Sequence, residues 1–118
     1  MPIAGSWWVF SDVLIDSEQD IPGVYELGNA AGEVIYIGSS PAIRRRLREH
    51  WSEPTNSLVK RHTTQYRVEY REDYLARERN LYGWHLRTHR RPPICRKGQA
   101  RRRCGFSLVA GDELANSR

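Results

Sequence analysis

The chain has 118 residues, of which 39% are hydrophobic and 28% are charged, enough for one domain with a modest core. It has no run of about 18 apolar residues and no basic segment at its start, so we expect neither a transmembrane helix nor a signal peptide. Only Cys95 and Cys104 could form a disulfide, and nothing else indicates secretion. We therefore expect a cytoplasmic protein with free thiols.

Charge is distributed unevenly along the chain. Residues 1–43 contain six acids and no lysine or arginine, whereas residues 44–118 contain all 19 basic residues and eight acids. All the basic residues except Lys60 and Lys97 are arginines, whose forked side chains suit bidentate contact with phosphate. This pattern predicts a nucleic-acid partner. The alternative explanation is solubility combined with the codon bias of a GC-rich genome.

The N-terminal segment is apolar and rich in β-prone residues. Residues 6–11 and 13–15 could add an edge strand, or form an N-terminal arm on the sheet. We expect this arm to comprise residues 1–19.

A β-hairpin is predicted next. Pro22–Leu27 and Glu33–Gly38 have strand composition, and Gly28–Gly32 supplies the glycine and asparagine of a turn. Because side chains two apart share a face of a strand, Tyr25 and Tyr36 could point at one site. We expect the second strand to end at its glycine, where the chain turns sharply and needs backbone room.

A helix should follow the hairpin. Ser40 is suited to be its N-cap and Pro41 its first residue. Ile43, Leu47 and Trp51 recur every four residues and predict the buried stripe.

The same helix carries a flank of polar residues. Arg46 and His50 are four apart, so they stack beside the apolar stripe. Arg44, Arg45 and Arg48 fall on other faces, where we expect them to be exposed to solvent or in contact with a nucleic-acid backbone.

The second half of the domain is predicted as a connection, a strand and a helix. Residues 52–64 form a polar connection, and Gln65–Tyr70 alternates in the way of a half-buried strand. Asp73 can cap a helix that runs from about Tyr74 to His89 and is closed by two prolines. Four side chains mark its apolar face: Leu75, Leu81, Tyr82 and His85.

Glu78 lies in the middle of that apolar face. A carboxylate among apolar side chains is costly unless a cation or hydrogen-bond donors satisfy it. The partner could be a bound metal ion or an arginine such as Arg46.

These features together resemble the GIY-YIG nuclease family. Gly23-Val24-Tyr25 and Tyr36-Ile37-Gly38 stand in the order and spacing of the family's two tripeptides, with valine in place of one isoleucine. Arg46 stands at the position of the family arginine, ten residues after the second tyrosine, and His50 follows it by four. Glu78 matches the family glutamate on the helix after the third strand. The resemblance covers about residues 20–95.

The resemblance implies an α+β fold with a three-stranded antiparallel sheet flanked by helices. It also implies hydrolysis of phosphodiester bonds in DNA, assisted by one divalent ion, Mg²⁺ or Mn²⁺, on Glu78. Arg46 would contact the scissile phosphate, and Tyr36 would orient the attacking water or the phosphate. Either Tyr25 or His50 would act as general base, since a phenol in water has a pKa of about 10 and an imidazole one near neutrality.

The chain departs from the family pattern after the glutamate. Pro92 comes fourteen residues after Glu78, and Pro93 or Cys95 takes the place of the family asparagine. Either the helix is longer by about a turn, or Gly83 occupies the glutamate position and the domain only binds nucleic acid. A catalytically weak or inactive nucleic-acid-binding module is therefore the alternative function.

The C-terminal residues offer one competing site. His85, His89, Cys95 and Cys104 could form a zinc site, although the eight-residue gap between the cysteines is irregular. Residues 96–118 are expected to form a basic extension. Because the chain has little room for a separate specificity domain, we expect the protein to cut with low selectivity, form a homodimer or use a specificity partner.

Overall fold

The computed structural model describes residues 3–93. The chain folds as an α+β domain in which a four-stranded antiparallel sheet is flanked by helices. Its elements, in chain order, are β1 (Trp8–Val9), α1 (Asp12–Asp16), β2 (Gly23–Gly28), β3 (Val34–Ser40), α2 (Ile43–Trp51), α3 (Leu58–His62), β4 (Gln65–Tyr70) and α4 (Tyr74–His89). The strand order in the sheet is β1-β4-β2-β3. The helices in the described part of the chain are too short or too polar to cross a membrane.

The sheet has four strands rather than three because the N-terminal segment joins it. Trp8 pairs with Tyr66 of β4, which confirms the edge strand. The segment at residues 13–15 forms α1 rather than a strand. Ser11 caps this helix by accepting a hydrogen bond from the Leu14 backbone N–H, and Ile15 is fully buried in the core. The described part of the arm is thus built into the fold.

The hairpin between β2 and β3 forms where it was predicted. The Asn29 side chain accepts hydrogen bonds from the backbone N–H groups of Ala31 and Glu33, and Gly32 adopts a positive φ of 84°. A bulge follows, because Leu27 pairs with Tyr36 while the next residue of β2 pairs with Val34. The extra residue of the bulge interrupts the regular pairing near the turn end of the hairpin.

The start of α2 differs from the prediction. Ser40 still pairs with Gly23 at the end of β3, and its hydroxyl accepts a hydrogen bond from the Ala42 N–H, so it does not cap the helix. Pro41 precedes the helix, and Ala42 occupies the N-cap position. The carboxylate of Asp20 instead accepts a hydrogen bond from a backbone N–H in the first turn of α2. The helix is therefore capped by a residue distant in sequence.

Each face of the sheet has its own core. On the side of α1, α2 and α3 the buried cluster contains Phe10, Ile15, Tyr25, Leu27, Ile35, Tyr36, Ile43, Leu47, Val59 and Tyr66. On the side of α4 the cluster contains Ile3, Val24, Ile37 and Leu81. The buried stripe predicted for α2 is confirmed, with Trp51 half-buried against the first cluster. The connection predicted at residues 52–64 contains α3, which contributes the buried Val59.

Helix α4 has the predicted bounds, and its apolar face differs from the prediction at Leu75, whereas Tyr82 packs against the α4-side cluster as predicted. Leu75 is 54% exposed, whereas Leu81 and His85 are buried. The stripe toward the sheet instead runs through Tyr74 and Glu78, four residues apart, and onward at spacings of three and four. Asp73 stands at the N-cap position, but its carboxylate pairs with Arg71 and makes no cap.

Some of the predicted features fall on residues outside 3–93. They concern the two cysteines, Cys95 and Cys104, and the basic extension at residues 96–118.

Candidate active site

Tyr25 and Tyr36 point to the same side of the sheet, toward α2. Tyr25 pairs with Gly38 and Tyr36 with Leu27, which places the two tyrosines diagonally on neighbouring strands. Their ring centroids are 6.1 Å apart, and the residues are 0% and 1% exposed. The predicted convergence of the two tyrosines is confirmed.

Gly38 makes this convergence possible. A Cβ atom at this position would lie 2.5 Å from the Tyr25 hydroxyl oxygen and 2.9 Å from the Tyr36 ring. The glycine thus supplies the room that was expected of it. It does not end the strand, because β3 continues to Ser40.

His50 completes the buried part of the cluster. Its ring centroid lies 5.6 Å from that of Tyr25 and 5.1 Å from that of Tyr36. The Nε2 atom is 2.8 Å from the Tyr25 hydroxyl oxygen, and the Nδ1 atom is 2.9 Å from Oε2 of Glu53. Because a carboxylate only accepts hydrogen bonds, Nδ1 carries the proton, and Nε2 accepts the hydrogen bond that the Tyr25 hydroxyl donates.

Burial keeps both of these groups uncharged. The pKa of His50 is lowered by burial and by the charge of Arg46, against the opposing effect of Glu53. The pKa of Tyr25 is raised well above its usual value by burial and by Tyr36, which outweigh Arg46. At neutral pH the pair is a neutral phenol that donates to a neutral imidazole.

Glu53 contacts His50 although its sequence position predicts only a polar connection. Its backbone N–H donates to the carbonyl of His50, so the turn after α2 folds the carboxylate back beneath the imidazole. The other carboxylate oxygen accepts a 2.5 Å hydrogen bond from the Ser57 hydroxyl. Burial favours a higher pKa for Glu53, but the hydrogen bonds from His50 and Ser57 hold it below its usual value. The sequence signal for this contact is an acidic residue three positions after a histidine at the end of a predicted helix.

Arg46 contributes a positive charge to the cluster, and its side chain is partly exposed. Its side chain is 27% exposed and forms a 2.8 Å ion pair with Glu49. Although burial opposes it, the pKa of Arg46 is raised by the neighbouring Tyr25 hydroxyl and by hydrogen bonds with Glu49 and Tyr36. The guanidinium therefore lies close to both tyrosine hydroxyls.

Glu78 lies beside the cluster on the α4 side. It is half-buried and accepts a short hydrogen bond from the hydroxyl of Ser39, the residue after Gly38. After burial and Tyr36, its charge is one of the influences that raise the pKa of Tyr25. Gly83 lies more than a turn further along α4, where a Cβ atom would approach the Arg87 side chain. Glu78 is thus a residue of α4 that contacts the end of β3.

The three remaining arginines of α2 differ in their surroundings. Arg44 and Arg45 are exposed. Arg48 forms ion pairs with Asp12, at 2.9 Å, and Asp16, both on α1. Two of the three side chains predicted to contact nucleic acid therefore point into solvent, and the third ties α2 to α1.

The two histidines of the competing zinc site are close together. The ring centroids of His85 and His89 are 4.5 Å apart, and the His85 Nδ1 donates a 3.1 Å hydrogen bond to the Arg91 carbonyl. This bond agrees with a core histidine. The cysteines of that site lie outside the described residues. Within residues 3–93, no three His, Cys, Asp or Glu side chains form a group that could hold a metal ion.

Comparison with known proteins assigns the chain to a family without a known activity. A family described as "Domain of unknown function (DUF7508)" matches residues 1–81, a span that contains all five residues predicted to be catalytic. No curated protein matches the chain. The protein is a member of the DUF7508 family.

Proposed function

We propose that this protein is a divalent-metal-dependent endonuclease of the GIY-YIG type that hydrolyses phosphodiester bonds in DNA. The observation that carries the proposal is the hydrogen bond from Tyr25 to the buried neutral imidazole of His50, with Arg46 and Glu78 beside it. This arrangement provides a proton donor next to a proton acceptor and a cation, with a carboxylate near enough to influence the pKa of Tyr25.

The proton acceptor follows from the direction of that hydrogen bond. The raised pKa of Tyr25 makes a free phenolate unfavourable, and His50 is too deeply buried to contact a substrate. A water molecule would therefore give its proton to the Tyr25 oxygen as the Tyr25 proton moves to Nε2 of His50. The imidazolium that forms is stabilised by Glu53.

Arg46 would bind the scissile phosphate. The two tyrosine hydroxyls are buried, and the guanidinium lies close to them. An incoming phosphate offers this cation a stronger partner than a phenol or the exposed Glu49 carboxylate, so it would draw Arg46 outward. That movement admits water to Tyr25 and leaves Tyr36 to orient the water or the phosphate.

Glu78 fits one kind of metal ion. It supplies a single half-buried carboxylate next to a serine hydroxyl, and the described residues hold no three-ligand cluster. Mg²⁺ commonly binds through one or two carboxylates while it keeps several waters and contacts substrate phosphate. Bound there, Mg²⁺ or Mn²⁺ would stabilise the leaving oxygen. The carboxylate of Glu78 would hold the ion, and Ser39 would orient that carboxylate.

DNA as the substrate is supported by charge. The net charge of residues 44–118 is +11, and the exposed Arg44 and Arg45 extend from the same helix as Arg46. These side chains could follow the phosphates that flank the cleaved bond.

The direct test is nicking of supercoiled plasmid DNA in Mg²⁺ or Mn²⁺. We expect wild-type protein to cut and Glu78→Gln to lose cutting with an unchanged far-ultraviolet circular dichroism spectrum, because the amide removes the negative charge that binds the ion. The matched control is Glu72→Gln, at an exposed position near the start of α4, which should cut like wild type. Undiminished cutting by Glu78→Gln would remove Glu78 from the mechanism.

A nucleic-acid-binding module without catalysis is the second candidate. The observation that favours it is the complete burial of Tyr25 and Tyr36. It predicts binding that weakens steeply with salt and no cleavage in any divalent ion.

A further inference from the structure

A chain of hydrogen bonds continues from His50 to the next helix. Glu53 accepts from His50 Nδ1 through one carboxylate oxygen, at 2.9 Å, and from the Ser57 hydroxyl through the other, at 2.5 Å. Ser57 is also the N-cap of α3, where its oxygen accepts a 3.3 Å hydrogen bond from the Lys60 N–H. Both oxygens of this acid are thus fixed by groups whose own positions are set by helix ends.

The position of Glu53 determines what His50 can do. A neutral imidazole carries one proton, and the acceptor at Nδ1 places that proton on Nδ1. Nε2 is then left with a lone pair 2.8 Å from the Tyr25 hydroxyl. With the proton on Nε2 instead, the Tyr25 oxygen would accept a hydrogen bond from the ring, and Tyr25 could not pass its own proton to Nε2.

We propose that Glu53 is a positioning residue that fixes His50 as the proton acceptor of Tyr25, and that Ser57 holds Glu53 in place. This proposal rests on the proposed nuclease function. In the step concerned, the O–H bond of Tyr25 breaks as an N–H bond forms at Nε2, and Tyr25 regains a proton from the attacking water. The positive charge that results on the ring is balanced by the Glu53 carboxylate.

Other charged and titratable groups around His50 also influence its pKa. Arg46 and Glu49 lie on the same helix, while Tyr25 and Tyr36 face the ring from β2 and β3. Arg46 lowers the pKa of His50, whereas Glu53 and Glu49 raise it. Loss of the Glu53 charge should therefore move the pKa of His50 further downward.

The first measurement does not depend on nuclease activity. Ring nitrogen chemical shifts of ¹⁵N-histidine-labelled protein distinguish the two neutral tautomers and follow protonation with pH. We expect wild type to hold His50 with the proton on Nδ1. Glu53→Gln, whose amide can donate to Nδ1, should shift the population toward the other tautomer and lower the pH at which the ring titrates. Glu72→Gln serves as the exposed control.

The second measurement is the pH profile of plasmid cleavage. Glu53→Gln should lower kcat about 100-fold or more, within the range that a positioned general base contributes, while KM for DNA stays unchanged. The acid limb of the profile should move to lower pH with the pKa of His50. Glu53→Asp, which keeps the charge on a shorter side chain, should recover part of the loss.

Ser57→Ala provides a second test of the proposal, which can be used even if Glu53→Gln does not fold. It leaves the Glu53 carboxylate in place but frees one oxygen, so a smaller fall in kcat and a mixture of tautomers are expected. The proposal is overturned if His50 keeps its proton on Nδ1 in both variants, or if wild type cuts and Glu53→Gln cuts with the same kcat and pH profile. If wild type cuts no DNA, the nuclease function fails, and the tautomer result alone then decides whether Glu53 positions His50.

Discussion

One face of the sheet carries two pairs of tyrosines with different partners. In the pair on β2 and β3, the Tyr25 hydroxyl donates to the imidazole of His50. In the pair on β4, the hydroxyls of Tyr66 and Tyr70 both donate to the carboxylate of Glu18, which follows α1.

The acceptor separates the two pairs chemically. A carboxylate is a much weaker base than an imidazole, with ordinary pKa values of about 4 and 6.5. It therefore accepts a hydrogen bond from a phenol, but it is a poor acceptor for the proton itself. Burial and the bond to Glu18 raise the pKa of Tyr66 and of Tyr70. The β4 pair therefore anchors the segment after α1 to the sheet, whereas Tyr25 donates to the base that takes up its proton in the proposed mechanism. Two tyrosines paired on this face of the sheet do not by themselves define an active site.

The largest test of this difference removes one hydroxyl from each pair. Tyr25→Phe should abolish plasmid cleavage because the proton path is broken, a loss of about 100-fold or more. Tyr66→Phe, an equally buried control, should leave cleavage near the wild-type rate and cost about 1 kcal/mol of unfolding free energy. Comparable cutting rates for the two variants would show that both pairs are structural.

A second test compares alanine substitutions at two glycines, one packed against Tyr25 and Tyr36 and one in α4. Gly38→Ala would place a methyl group 2.5 Å from the Tyr25 hydroxyl oxygen, so we expect a loss of about 1–3 kcal/mol in urea denaturation. Gly83 lies within α4, and a Cβ atom there would approach only the flexible end of Arg87. Gly83→Ala should therefore raise the free energy of unfolding by about 0.5–1 kcal/mol, because alanine is a better helix former than glycine. A Gly38→Ala variant as stable as wild type would mean that the two tyrosines do not meet across this glycine.

The smallest expected effect is the pH dependence of stability. Because the pKa of His50 is lowered in the folded protein, there is a pH range in which His50 binds a proton in the unfolded chain but not in the folded one. The contribution of His50 to the unfolding free energy should thus be fully present above pH ~6.5 and fall as the pH drops toward the folded pKa. His50→Gln should flatten this acid limb in part, since His85 has a lowered pKa as well.

The tyrosines bound to Glu18 act at the other end of the pH range. Their raised pKa values mean that the stability they contribute is present below pH ~10 and is lost as the pH rises further. Tyr66→Phe should flatten this alkaline limb in part, since Tyr25 and Tyr70 also have raised pKa values, and it should leave the acid limb unchanged. Denaturation series at fixed pH values check both limbs, and an acid limb identical in wild type and His50→Gln would contradict the assignment to His50.

The local features of the fold could be predicted from the amino-acid sequence. The alternation around Tyr25 and Tyr36 predicted the hairpin and the shared face of the two rings, and the four-residue spacing of Ile43 and Leu47 predicted the buried side of α2. The bounds of α4 were also predicted. These features depend on neighbours two, three or four residues apart, and such neighbours are visible in the sequence.

The contacts between polar groups, by contrast, depend on how the helices and strands pack together. The acceptor of the Tyr25 proton lies 25 residues away, Arg48 pairs with acids of α1, and Asp20 caps α2 across a gap of 25 residues. Glu53 is close to His50 in sequence, yet its role depends on a tyrosine that only the sheet brings there. Such partners depend on how whole elements pack, and local spacing carries no information about that.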